Sequence, residues 1–585
     1  MLNFYTRGGQ LALHKLHMFK QICLTTLLAA FCVGLCVFAI LFFSKTTSYQ
    51  RCLYKEHLYA EFMVNMSQND PSRITQEFSC SRKANGALRE VKSQDILKNR
   101  HIQRHIVYID HLSSQNMKMS LWGVFVSFVI LMGFFGYSGY LKSKKKLERG
   151  AQMVSARSLR RLLRKTNEAS DLHLDKLPLV KDKETAHILM TGTTSAGKTN
   201  CFHTLLPQIQ SRPNRAIVVD MTGDFVSKYY REGTDLILNP FDQRTEHWSP
   251  WAECLTETHY DALAAAIIPE TESPEKFWEN AAKVLFSTAL KEGAGERNIQ
   301  KLYHILVRSN LKDFEKFFQE TDAATYTNSE GEKMTLSIRA CLVNHLQGLK
   351  YLKQTSKPFS FRDWVKNEDT THGQWIFLTA NPDQRKTLIP LISAWLDTAI
   401  NALMTLPRDY DRRLWFIIDE LPSLQELPSL KTALAEARKY GGCLLAGVQN
   451  SPQLFDTYGY YQAQSILDLF NTKIFFRNTD PQTAQWISKA LGEAEITEQI
   501  ENLSYGAHNI RDGVSLSPHT RIHSLILPTE VASLENFEAF IKLPGAYPAC
   551  KIKMTYKNMP TIAVDFKPTP ETQPNGNGLK RFVTV

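Results

Sequence analysis

The chain has 585 residues, of which 43% are apolar and 22% charged, the balance of a folded protein and not of a disordered one. Ten cysteines are too few for a disulfide scaffold, and 28 glycines with 24 prolines exclude collagen-like and low-complexity architectures. A net charge of +11 favours an anionic partner, either nucleic acid or lipid headgroups, so where that charge sits matters.

Residues 1–21 carry Arg7, Lys15 and Lys20 and no acid. The uncharged run 22–43 follows, and at 1.5 Å per residue its helix measures about 33 Å, enough to span a hydrocarbon core. Residues 121–141 form a second uncharged run, with Trp122 at one end and Tyr137 and Tyr140 at the other, as headgroup-level aromatics are placed. Both are predicted to be membrane helices, because they are apolar on every side. The first is too long for a cleaved signal, and no small-x-small site follows Phe43. Basic flanks outside both runs put both termini in the cytoplasm and residues 44–120 on the far side. Cys52 and Cys80 are the two cysteines of that loop. They pair if the compartment is oxidising and stay free thiols otherwise.

From Lys142 to Lys165 there are ten Lys/Arg against one acid, Glu148, nearly the whole excess charge of the chain. Such a juxtamembrane segment binds anionic lipid or a passing nucleic acid, and composition does not choose between them.

Ile188 to Met190 reads as a short buried strand. Gly192, Thr193, Thr194, Ser195, Ala196, Gly197, Lys198 and Thr199 then satisfy G-x-x-x-x-G-K-[ST]. The glycines let successive backbone N–H groups turn toward phosphates, Lys198 faces the β/γ oxygens, and Thr199 offers a hydroxyl to Mg²⁺. The helix from Asn200 to Leu206 presents its positive end to the same anion. Leu414 to Ile418 is a second apolar strand, with Asp419 and Glu420 at its C-terminal end, where open α/β sheets bind ligands. Asp419 is expected to support Mg²⁺ and Glu420 to polarise the attacking water of an ATPase. A third strand, Cys443 to Val448, ends at Gln449, which is positioned to sense a γ-phosphate. The segment 420–440 between them is predicted to be a helix closed by Gly441-Gly442. Arg438 near its end either complements the helix C-terminus or acts as an arginine finger in a neighbouring subunit.

Lys198 and Asp419 lie far apart in sequence, and much of the interval has helical periodicity, as at Phe277, Ala281, Val284 and Leu285. Strands at 216–219, 236–238 and 375–378 flank it. An all-helical domain, 248–355, is thus predicted inside an α/β sheet formed by 176–247 and 356–560.

The two spans, the GTTSAGKT loop, DLILNPFDQR (Asp235 to Arg244), Phe277-Trp278, FIIDELPSL and EARKYGGC with GVQ together resemble the type IV coupling proteins, in particular the TraD type of F-like conjugation systems. The resemblance covers residues 1 to about 560. It implies a RecA-like P-loop ATPase sheet with an inserted all-α domain, preceded by two transmembrane helices, in the bacterial inner membrane. It further implies a homo-hexamer that uses ATP and Mg²⁺ to deliver single-stranded DNA with its relaxase to inner-membrane type IV secretion components. On this resemblance, 44–120 is a periplasmic loop and 142–175 a basic stalk. Lys198 and Thr199 match the family's phosphate and Mg²⁺ residues, Asp419 and Glu420 its second acidic motif, Gln449 its third motif, and Arg438 its finger.

F-type members carry a long C-terminal extension that docks an accessory protein. Here the last alternating strand, 549–556, gives way to a Pro-, Gly- and Asn-rich stretch, and 561–585 is expected to be a disordered tail. Two functional readings remain open. One is a DNA-pumping motor; the other is a membrane receptor for the relaxosome in which nucleotide drives assembly. An ABC transporter would need an L-S-G-G-Q signature between the two acidic and glycine-rich motifs, and the sequence has none there.

Overall fold

The computed structural model describes residues 10–66, 74–80, 89–143, 146–270, 276–328, 331–368, 371, 373–504 and 513–570. The chain divides into two compact units, 1–146 with 497–519, and 147–496 with 520–585.

In the first unit, helices α1 (Gln10–Lys45), α2 (Ser48–Met66) and α3 (Arg100–Ser143) dominate. By length and composition α1 and α3 can each cross a membrane. Leu24, Phe31 and Ile40 on α1, and Trp122, Ile130 and Phe134 on α3, are exposed, which calls for apolar surroundings. The two helices meet where Gly34 removes a side chain. Ser120 donates to the Gly34 carbonyl at 2.7 Å, and a Cβ at Gly34 would overlap Val124. Small residues allow this close approach between apolar helices.

Within 44–120 the described residues form more than a connecting loop. They hold α2, a hairpin of Thr75–Phe78 with Arg89–Lys92, and the first turns of α3. Cys52 and Cys80 form a disulfide. Beside it the buried Glu56 carboxylate accepts from Gln76 at 3.2 Å and from Ser79 at 2.8 Å.

The second unit is built on a ten-stranded sheet. In chain order its strands are β1 (Met153–Ser155), β2 (Ile188–Thr191), β3 (Arg215–Asp220), β4 (Leu236–Leu238), β5 (Trp375–Thr379), β6 (Leu414–Ile418), β7 (Gly442–Val448), β8 (Thr472–Phe476), β9 (Glu538–Lys542) and β10 (Ala549–Lys553). Their spatial order is β1-β10-β9-β8-β2-β7-β6-β3-β5-β4. The seven strands from β8 to β4 run parallel, and β9 and β10 extend the sheet antiparallel. The parallel strands are continuous apolar runs because both faces are covered. Register matters here: Val448 pairs with Thr191, and Ile418 with Ala446, so the turns after β2, β6 and β7 leave by the same edge.

Helix α4 (Ala156–Lys165) corrects the expectation of a basic stalk across 142–175. Ser155 caps it by accepting from the Ser158 N–H at 3.2 Å, and Leu159 and Leu163 are fully buried. With β1 bound to β10, residues from 153 onward are part of the sheet unit. The leucines at i and i+4 form the apolar stripe, and the arginines take the other face.

Between β4 and β5 the chain forms a block of helices, among them Glu257–Ile267, Lys276–Glu292, Leu311–Phe318 and Glu332–Leu346. Its Leu285, Phe286, Phe314 and Leu342 join Ile217 and Ile376 of the sheet and Trp395 of the helix Arg385–Met404 in one continuous core. A buried carboxylate ties the seam: Glu253 accepts from the Trp248 indole at 3.0 Å and from the backbone N–H of Phe361 and Arg362. Helix α5 (Lys198–Ser211) follows β2. Helix α6 (Arg385–Met404), also long and apolar enough to span a bilayer, is instead mostly buried inside this fold.

Two further expectations change. The segment 420–440 is not one helix: Leu421–Ser423 is a 3₁₀ turn, Leu430–Glu436 a short α-helix and Ala437–Tyr440 another 3₁₀ turn. Pro422 and Pro428 break the periodicity. The supposed tail is ordered through residue 570. Gln243 N–H donates to the Lys567 carbonyl at 2.8 Å, Arg244 donates to the Val564 carbonyl at 2.7 Å, and Thr569 N–H donates to the Phe241 carbonyl at 3.0 Å. The rest of the expected tail, 571–585, lies outside the described residues.

Candidate functional site

The turn after β2 hooks over the strand edge. Gly192 N–H donates to the Val448 carbonyl at 3.3 Å, and Thr193 N–H to the Arg477 carbonyl at 2.9 Å, pinning the turn to the segments after β7 and β8. A Cβ at Gly192 would lie 2.6 Å from that of Phe476, so only glycine fits. Ser195 and Gly197 adopt positive φ, 62° and 128°, which reverses the chain and turns N–H groups inward before α5 begins at Lys198. Thr193, Thr194, Ser195, Gly197, Lys198 and Thr199 line the resulting cavity of about 770 Å³, while Ala196 is buried behind them.

The acids predicted to be partners sit in the same cavity. Lys198 Nζ lies 3.0 Å from Glu420 Oε2, with the lysine only 8% exposed. Glu420 Oε1 accepts from the Gln449 N–H at 3.1 Å, and the Gln449 carbonyl accepts from Asn478 at 2.6 Å. One carboxylate thus links the phosphate turn to the end of β7. Asp419 lines the cavity beside Glu420. Burial pushes its carboxyl up to about 6; Lys198 pulls the other way, and Asp220, Glu420 and Asp224 add to the rise.

Arg438 is elsewhere. It precedes β7 at the strand starts and lines a separate cleft with Leu162, Lys183, Asn471 and Tyr547. Within one chain it is at the opposite rim of the sheet from Lys198.

Several cavity residues carry no sequence motif. At the end of β3 the buried Asp220 accepts from the N–H groups of Thr222, Gly223 and Val226, shaping the turn that brings Asp224 and Lys228 to the cavity. Asp224 sits 2.6 Å from Lys228 and 3.2 Å from His203, and these two partners hold its carboxyl below the usual range. Arg385, at the start of α6, also lines the cavity and donates to the Met221 carbonyl at 3.1 Å. On the other side stand Phe537 and the stretch Tyr556 to Met559, of which the sequence marks only Tyr556, as the end of an alternating strand that in fact stops at Lys553.

The arrangement suits a polyphosphate: a backbone cradle, a buried lysine, a hydroxyl at a helix start, and two acids at the carboxyl edge of a parallel sheet. The residues fit Mg²⁺ as well, because Thr199 and the half-buried Asp419 supply the oxygen donors that this cation prefers.

Comparison with known proteins agrees with this geometry. Residues 171–555 match the family model of the type IV secretion-system coupling protein DNA-binding domain. The coupling protein TraD of Escherichia coli strain K12 is 31% identical over 588 aligned residues, covering 96% of this chain and 79% of that protein. The structure of plasmid coupling protein TrwB in complex with ADP and Mg²⁺ superposes with a TM-score of 0.65 at 29% identity, covering 73% of this chain and 98% of that one. VirD4 of Rhizobium rhizogenes matches locally, 26% identical over 188 residues, 31% of this chain and 27% of that protein. A nucleotide-binding RecA-like sheet with its cradle at the strand ends, matched by a family model over most of the chain, makes this protein a member of the type IV secretion-system coupling proteins.

Proposed function

We propose that this chain is an inner-membrane ATPase that couples nucleotide hydrolysis to movement of single-stranded DNA, with its attached relaxase, toward a type IV secretion channel. The observation that carries the reading is the convergence of Lys198, Asp419, Glu420 and Gln449 on one cavity at the carboxyl edge of the sheet. ATP is the nucleotide and Mg²⁺ the cation, in line with the ADP and Mg²⁺ bound by TrwB.

Each residue then has a role set by its position. Lys198 takes the β/γ oxygens, and in doing so competes with its own ion pair to Glu420. Released from the ammonium, the Glu420 carboxylate is free to accept a proton from water. Thr199 and Asp419 hold Mg²⁺, which would neutralise phosphate charge when bound. Gln449, whose backbone already reports on Glu420, senses the γ-phosphate. Arg438, remote from its own cradle, serves a neighbouring copy in a homo-hexamer.

The two long apolar helices anchor the chain with both termini cytoplasmic and 44–120 periplasmic. The basic sequence 142–149 is suited to anionic lipid, while Arg157, Arg160, Arg161 and Arg164 on α4 offer a basic face to DNA. Inner-membrane secretion components and the relaxosome are the protein partners.

The full chain in lipid nanodiscs tests this directly. Hydrolysis is expected to rise with added single-stranded DNA and to vanish in Lys198→Ala, whereas Glu420→Gln retains nucleotide binding without turnover. Hydrolysis indifferent to DNA, together with normal transfer by Glu420→Gln, would instead establish a receptor that uses nucleotide only to assemble.

A further inference from the structure

A second cleft, of about 810 Å³, lies at the opposite edge of the sheet from the phosphate turn. Its walls come from the helix Glu257–Ile267, the short helix Phe361–Lys366, the end of α6, and residues that precede β5 and β6. Strand β5 starts at Trp375 and β6 at Leu414, so the cleft stands at the strand starts, whereas the cradle stands at the strand ends.

Arg362, Lys366 and Arg412 line this cleft. Arg412 is taken: it pairs with Glu368, which also lies 3.4 Å from Arg215, and it donates to the Tyr440 carbonyl at 3.2 Å. Arg362 is different. It is half-buried, its Nε is enclosed without a partner, and its guanidinium makes no hydrogen bond or ion pair among the described residues. The buried Glu253 attracts it but is saturated: Oε1 accepts from the Trp248 indole and the Phe361 N–H, and Oε2 from the Ser360 hydroxyl and the Arg362 N–H. Burial lowers the guanidinium below the usual arginine range. A desolvated cation without an acceptor is costly, and such groups are normally satisfied by an ion or water. Lys366, one helical turn on, is exposed and has no ion pair among the described residues. His259 Nδ1 accepts from the Leu255 N–H at 3.1 Å, which leaves Nε2–H as the free donor of a ring that burial and the Arg362 charge keep neutral. Asp363, exposed on the same short helix, is the one lining acid without an arginine partner.

We propose that this cleft is a second anion site, separate from the nucleotide cradle, which takes the phosphate group of a small molecule on Arg362, Lys366 and His259. The guanidinium supplies a planar fork, the ammonium a point charge and the imidazole a neutral donor. A phosphate has enough oxygens to meet all three at once, whereas a carboxylate has two. The cleft is far larger than one phosphate and falls in the size range of small-molecule sites. Leu406 and Pro407 give it an apolar wall for the organic part of a phosphate ester. Free phosphate would use the same donors and forgo that wall.

Equilibrium dialysis of radiolabelled AMP and inorganic phosphate against the full chain in nanodiscs provides the test, with and without Lys198→Ala to disable the cradle. AMP binding is expected to survive Lys198→Ala, to weaken by roughly 10- to 100-fold in Arg362→Gln, and to weaken less in Lys366→Gln. Asp363→Asn removes a repelling charge and should tighten binding by up to about fivefold. Lys366 and Asp363 are both exposed, so their variants decide the matter if Arg362→Gln does not fold. Tighter binding of AMP than of phosphate identifies an ester as the ligand, and equal binding identifies the free anion; both support the site. The proposal is overturned if neither probe binds, if binding is lost in Lys198→Ala but kept in Arg362→Gln, or if only a single-stranded oligonucleotide depends on Arg362. Failure of the nucleotide-binding reading looks different: ADP affinity would then be the same with and without Lys198→Ala.

Discussion

The cavity at the phosphate turn has two walls of opposite origin. On the phosphate side, eight consecutive residues, Gly192 to Thr199, supply most of the chemistry, and local backbone geometry fixes where each atom points. On the other side, Phe537 and Tyr556 come from separate loops, and hydrogen bonds from distant residues set their positions. A contiguous cradle tolerates change anywhere except in its own turn and in whatever supports that turn. An assembled wall is sensitive at its tethers, which need not touch a ligand at all.

The sharpest way to break the first wall is through its support. Gly447 lies in β7 beside β6, and a Cβ there would overlap the Asp419 carbonyl oxygen. Gly447→Ala is expected to displace Asp419 or to cost about 1–3 kcal/mol of overpacking strain. Hydrolysis should be lost and the thermal unfolding midpoint should drop, while Gly295→Ala, in open space and without a positive φ, serves as the control for handling.

A milder substitution separates the walls. Asn200→Ala removes two hydrogen bonds to the segment around Tyr556, a loss of about 2 kcal/mol. ADP affinity should fall with little change for tripolyphosphate. A matching fall in both ligands would mean that Asn200 orders the cradle instead.

An effect confined to stability, with no expected change in activity, lies away from both walls and calibrates stability measurements. Asp397 is buried in α6, accepting from Ser429 N–H at 2.9 Å and from Asn401 at 2.9 Å, and burial raises its carboxyl to about 6. Its folded value exceeds the unfolded one of about 4, so the folded chain binds more protons between pH 4 and 6. Its contribution therefore weakens as pH rises through that window, by on the order of 2 kcal/mol. Asp397→Asn should flatten the pH slope of the unfolding free energy in that range, as read by denaturant titration.

Much of the sheet was legible because parallel strands buried on both faces are unbroken apolar runs; Leu236 to Leu238 and Leu414 to Ile418 begin and end where expected. The phosphate turn was legible because its chemistry is contiguous. Asp419 and Glu420 were legible from their place at a strand end. Helix α4 was misread because ten cations over 142–165 outweigh a stripe of two leucines, although Leu159 and Leu163 were there to be counted. The ordered stretch 561–570 could not be read from composition, since its contacts are made largely through backbone carbonyls, which every residue carries. Phe537 and Tyr556 are common residue types whose meaning comes entirely from tertiary placement.

Strand β7 is seven residues long, about 23 Å at the usual rise, with Gln449 just past one end and Arg438 just before the other. A side chain displayed at the trailing rim cannot bend back into the pocket at the leading rim, so the proposed finger role of Arg438 requires another copy's pocket. Two copies related by a two-fold axis would present the same rim to each other and satisfy neither site. Under that proposal head-to-tail stacking is the arrangement that uses both, and repeated around a closed circle it would turn each strand into a spoke that touches one nucleotide and answers for the next.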